Sequence, residues 1–164
     1  MPASSTATPS RDDEITRVDP PKPTSTAAYL EHISTAIIEA LTSCDDAVIL
    51  NHLSPDFEMI TACEELPVSC PTKSAASLEQ HLQNMAWFRK QFPKWTLEVS
   101  NARCNMTKGS STAEVWLSCQ GLRTPESQMF NRETVHVVYW RRSKTQGNWV
   151  CYRHQALGGG GNFF

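Results

Sequence analysis

The hydrophobic period of this chain changes at Pro93. Before it, apolar residues recur at intervals of three and four; after it they recur every second residue. A helical period followed by a period of two predicts helices first and an antiparallel sheet afterwards, the pattern of an α+β domain. Upstream, Leu30, Ile33, Ile37 and Leu41 fall on one helical face. Asp45 and Asp46 suit the start of a short second helix carrying Val48, Ile49 and Leu53, with Pro55 as its stop. Phe57–Ala62 reads as a short strand, and Glu64–Ser74, with Pro67 and Pro71, as a loop excluded from a central ladder. Ser77 and Gln80 fit a capping box, and Leu78, Leu82, Met85, Phe88 and Phe92 continue a third amphipathic helix until Pro93.

Downstream, Trp95, Leu97 and Val99 alternate with polar residues, but the next apolar set is Ala102, Cys104 and Met106. The phase slips by one residue around Ser100-Asn101, which predicts a β-bulge in a long bent strand. Ala113, Val115, Leu117 and Cys119 mark the next strand. After a turn at Thr124–Ser127 come two more strands, joined around Gln146-Gly147-Asn148.

Residues 1–25 hold five of the ten prolines and almost nothing apolar, the composition of a disordered tail, and 158–164 is a Gly-rich tail. One domain is therefore expected over 26–157. A net charge of -2 gives no whole-protein field to draw in nucleic acid or anionic membrane. No run approaches the ~20 apolar residues of a membrane helix. Arg141, Arg142, Lys144 and Arg153 interleave with Tyr139, Trp140, Trp149 and Tyr152, a mixture that also grips single-stranded RNA. The acidic total and the missing consensus of an RNA-recognition module argue against that partner. The six cysteines contain no C-x-x-C pair and no histidine at zinc-ligand spacing. Reduced thiols, no metal and a cytoplasmic location are the expectation.

The element order, with the third helix closed by Phe92-Pro93 and a final strand introduced by Gly147-Asn148-Trp149, resembles the nuclear-transport-factor-2-like (NTF2-like) superfamily, in particular its SnoaL-like members, over Thr26–Gln155. The resemblance implies a cone-shaped domain. In it a curved antiparallel sheet with a mixed edge wraps three N-terminal helices and leaves an apolar internal pocket. Members include dehydratases, isomerases, polyketide cyclases and domains without catalysis, so the chemistry has to be argued from side chains.

The stretch from Thr134 to His154 is where those side chains concentrate. If Trp140 faces Val150 across the hairpin, Val138 faces Tyr152 and His136 faces His154, because partner numbers in an antiparallel ladder have a constant sum. One face then holds two imidazoles over a floor of Trp140, Val138 and Tyr152, and a one-residue slip destroys the set. Histidines in an apolar pocket are neutral near pH 7 and ready to take or give a proton. The plainer alternative is that each is a hydrogen-bonded structural residue. Glu58, on the short strand, is the carboxylate whose pKa burial could raise for base chemistry; Glu114 and Glu133 are weaker rivals, and Asp56 suits a turn.

His136, His154 and Glu58 are thus the candidate catalytic residues, with Trp116, Val138, Trp140, Tyr152 and Phe88 as the candidate substrate wall. Aromatics at such spacing are more often core. The expected function is a small cofactor-free isomerase, cyclase or dehydratase acting on a hydrophobic oxygenated metabolite, such as a polyketide or terpenoid intermediate of secondary metabolism. The alternative is a non-catalytic ligand-binding or dimerisation module. For that, Val135, Val137, Tyr139, Trp149 and Cys151 would form an apolar outer face, and a homodimer is the expected assembly.

Overall fold

The residues described by this computed structural model are 25–43, 45–62, 73–122 and 133–157. Both expected tails, apart from Ser25, lie outside them, as do the Thr124–Ser127 turn and Cys44, Cys63 and Cys70. The elements are α1 (Thr26–Ser43), α2 (Asp46–His52), β1 (Leu53–Thr61), α3 (Leu78–Gln91), β2 (Thr96–Asn105), β3 (Thr112–Leu122), β4 (Glu133–Arg142) and β5 (Trp149–Leu157). The strands form one curved sheet in the order β1-β5-β4-β3-β2. β1 runs parallel to β5 and every other pair is antiparallel. This is the expected α+β class with a mixed edge.

The helical face of α1 buries Leu30, Ile37, Ile38 and Leu41 together with the small Ser34 and Ala40. Ser34 serves as an acceptor inside the core. The indole N–H of Trp140, on β4 and fully buried, donates to its Oγ at 2.9 Å, so burying the ring leaves no orphan donor. Arg89 of α3 ties the helices together. Its guanidinium donates to the carbonyls of Ala40 and Leu41 at the C-terminus of α1, at 3.2 and 3.1 Å, and pairs with Asp46 at 2.9 Å. A cation there complements both the unpaired carbonyls and the helix dipole. α3 starts as its sequence predicts, with Ser77 Oγ accepting from the Gln80 N–H at 3.2 Å. The Gln80 side chain reaches back one residue further than a capping box requires, to the N–H of Ala76 at 2.9 Å.

β1 starts earlier than expected. Leu53 belongs to it rather than to α2, and Pro55 lies inside the strand instead of ending the helix. The reason is its position at the sheet edge: the β1–β5 register shifts between Leu53 and Glu58, so Pro55 sits where no ladder donor is needed. On its other side Met59 exchanges both backbone hydrogen bonds with Ala75, at 2.8 and 2.9 Å.

The bulge expected near Ser100-Asn101 is present, with the β2–β3 register shifting between Val99 and Asn101. A second irregularity, in the β4–β5 hairpin, corrects the expected register. Val138 pairs with His154 and Tyr139 with Arg153, but Trp140 pairs with Cys151, leaving Tyr152 as the extra residue. Below the bulge the register differs from the expected one by two, which preserves the parity of His136 and His154. Above it the parity inverts. Cys151 is therefore buried in the core and Trp149 packs against it, whereas Tyr152 turns outward beside Tyr139, with ring centroids 6.3 Å apart.

A buried histidine pair as candidate active site

His136 and His154 meet on the helix-covered face. His136 Nδ1 and His154 Nε2 are 2.8 Å apart, and the other ring nitrogen of His136, Nε2, lies 3.0 Å from Thr134 Oγ1. The pair is diagonal rather than directly opposed: His136 sits across from Leu117 and Ala156, and His154 across from Val138 and Met59. Apolar neighbours on every side remove water, and exposures of 7% and 2% follow. Thr134 comes from the same strand face because it precedes His136 by two residues.

A third imidazole belongs to this region. His81 on α3 is 1% exposed and packs on Phe57 of β1, with ring centroids 5.1 Å apart. Sequence reasoning missed it, although His81, Met85 and Phe88 share one helical stripe and are the buried residues of α3. Burial lowers the pKa of His81 to about 4, with the charge of Arg89 acting in the same direction. Burial lowers His136 to about 4 as well. His154 is pushed well below the ordinary histidine range by burial first, then by His136 and His81. All three are neutral at pH 7. In a neutral pair one ring donates N–H and the other accepts, so the proton between His136 Nδ1 and His154 Nε2 fixes the tautomer of His136.

Not all of the expected site assembles here. Val138 and Trp140 lie on the histidine face and are fully buried, as members of the core. Glu58 does not join them. Its partner across β1–β5 is Arg153, with which it makes an ion pair on the opposite face of the sheet, its side chain 38% exposed. Tyr152 is on that outer face too, under the guanidinium groups of Arg141 and Arg153 at 5.2 and 5.9 Å from its ring. Trp116, opposite Val137, is 44% exposed there. Phe88 is buried but lines a cavity of about 120 Å³ between the C-terminal ends of α1 and α3, with Leu41, Phe92 and Trp95 and none of the three histidines. Among the described residues no group of three or more His, Cys, Asp or Glu side chains is arranged to hold a metal ion. Among them, too, no helix is long and apolar enough to cross a membrane.

No family model matches the chain, and no curated protein matches it by sequence. Solved structures match it by fold. An NTF2-like protein with a cystatin-like fold from Novosphingobium aromaticivorans superposes with a TM-score of 0.63 at 12% identity, covering 82% of each chain. The CaMKII hub of S. rosetta gives 0.63 at 14% identity, covering 83% of this chain and 98% of the hub. The hexachlorocyclohexane dehydrochlorinase LinA-type3 of Novosphingobium barchaimii gives 0.60 at 10% identity, covering 79% and 83%.

Proposed function

We propose, on the premise of an NTF2-like fold, that this protein is a small cofactor-free enzyme that moves protons on a hydrophobic oxygenated metabolite, such as a polyketide or terpenoid intermediate. Isomerisation, cyclisation and dehydration are the reactions within its reach. The observation that carries the reading is the 2.8 Å contact between His136 and His154. Two neutral imidazoles in line can accept a proton at one end and release one at the other, and the apolar surroundings keep water from competing. His136, the less buried of the two, acts as the acid-base group, and His154 sets its tautomer. Glu58 has no part in this version of the mechanism, because the sheet separates it from the pair. A dehydrochlorinase among the structures of similar fold is compatible with proton abstraction in such a scaffold.

The test is exchange of the acidic C–H hydrogens of a panel of hydrophobic ketones, followed by NMR in D₂O. His136→Gln should cost about 10²–10⁴-fold in rate while the melting transition remains cooperative. Equal exchange by the folded variant would sink the proposal.

A second reading, a binding or dimerisation module, is favoured by the outer face of the sheet. Trp116 is exposed there, on the same face as the half-buried Val135, Leu157 and Ile60 of the next strands, a face suited to a second copy of the chain. Sedimentation over a concentration series decides it: a strict monomer excludes pairing through the sheet, and Trp116→Glu should dissociate a dimer that uses it.

A further inference from the structure

We infer that Thr134, His136 and His154 form a nucleophile–base–support triad, able to take an acyl group from an activated ester or thioester onto Thr134 and pass it to water. The triad adds an activity to proton transfer and rests on the same base and support, His136 and His154; Thr134 alone distinguishes the two.

Three observations point this way. First, both nitrogens of one imidazole are engaged in line, Nε2 with a hydroxyl at 3.0 Å and Nδ1 with a third group at 2.8 Å. That is the geometry by which a base activates a hydroxyl nucleophile while a partner holds its ring and tautomer. Second, the order of burial suits the roles. Thr134 is half-buried, His136 is 7% exposed and His154 2%, so the hydroxyl stands at the accessible end and the support at the deep end. Third, the arrangement is imposed by the sheet. Thr134 and His136 share a face of β4 through the two-residue period, and β5 delivers His154 from across the hairpin.

The chemistry balances without a further reagent except water. Thr134 Oγ attacks the acyl carbon, forming a C–O bond, and its proton moves to His136 Nε2. Collapse of the tetrahedral intermediate breaks the bond to the departing alcohol or thiol, which takes that proton. Water then attacks the acyl-threonine ester with the same base, releasing the carboxylic acid and restoring the Thr134 hydroxyl. His154 is neutral and stabilises the imidazolium less than a carboxylate does, which restricts the substrates to esters with good leaving groups.

The full-length protein is incubated with p-nitrophenyl acetate, quenched in acid and digested. The expected result is release of nitrophenolate together with one acetyl group mapped by mass spectrometry to Thr134. The rate should stay flat between pH 7 and 8, where the fold is intact and burial keeps His136 neutral. Thr134→Val, which keeps shape and removes the hydroxyl, should lower the rate by about 10²-fold or more, and Thr134→Ser should retain it. Ketone exchange should survive Thr134→Val, which separates failure of the triad from failure of the proton-transfer reading. No adduct, or an adduct only on surface lysines, overturns the triad in the unmodified protein even if Thr134→Val does not fold. So does a ¹⁵N spectrum showing His136 protonated at Nε2, because that tautomer donates to Thr134 instead of activating it.

Discussion

Acid should unfold this protein through its buried histidines, well above the pH at which carboxylates titrate. His81 and His136 have folded pKa values of about 4 against 6.5 for the ordinary side chain, both because burial penalises the charge. Between those values the unfolded chain binds protons that the folded chain refuses, so stability rises with pH across the window and falls on acidification. The contribution is complete above about pH 6.5. Each gap is worth about 3 kcal/mol, and His154 shifts in the same direction. Since His136 and His154 share a hydrogen bond, they titrate in two steps that belong to the pair rather than to either ring. His52, on α2, shifts the same way by burial and adds a smaller part. Asp56 does not confuse the picture. Arg141 holds its pKa at about 2, so what it contributes is lost only as pH falls below its ordinary value of 3.8. Near pH 5.5 the unfolded state should bind two to three extra protons, a slope of about 3–4 kcal/mol per pH unit. With a domain stability of about 5–15 kcal/mol, one pH unit removes a large fraction. Urea melts at half-unit intervals from pH 8 to 4.5 measure the slope, and His81→Gln should reduce it by about one proton. Stability that stays level between pH 7 and 5 would refute the reasoning, because it would mean the imidazoles are hydrated or already charged in the fold.

Ser34→Ala should destabilise the domain by about 1–3 kcal/mol, since the indole N–H of Trp140 loses its acceptor in a fully buried site; a neutral result by denaturant melts would show that water replaces it. Glu58→Gln should change stability by no more than about 1 kcal/mol, as expected of a half-exposed ion pair, and should leave ketone exchange untouched. A large loss of turnover in that variant would return Glu58 to the site. Burial pushes the Cys119 thiol up to about 12 and raises that of Cys151 as well, so neither should react with a disulfide reagent at pH 8 until denaturant is added. Prompt labelling of either in the native protein would show that the core opens.

What could be read locally was legible in the sequence. The change of period at Pro93, the Ser77 cap and the phase slip at Ser100 each depend on neighbours within a few residues, and each returns in the structure. The shared face of His136 and His154 was legible for a related reason: a register error of two preserves side-chain parity. The stripe that buries His81 was present at helical spacing, masked by the more apolar Leu78, Leu82 and Met85. Thr134 was accessible to the same parity argument, two residues before His136. The faces of Glu58, Cys151 and Tyr152 were decided only by tertiary structure. Glu58 points outward because β1 pairs in parallel with a strand nearly a hundred positions later. Tyr152 follows it because one residue of β5 is left out of the ladder. Alternation tells which residues share a face of one strand. Which face meets the helices depends on strand order and bulges, and those are settled by contacts between segments far apart in the chain.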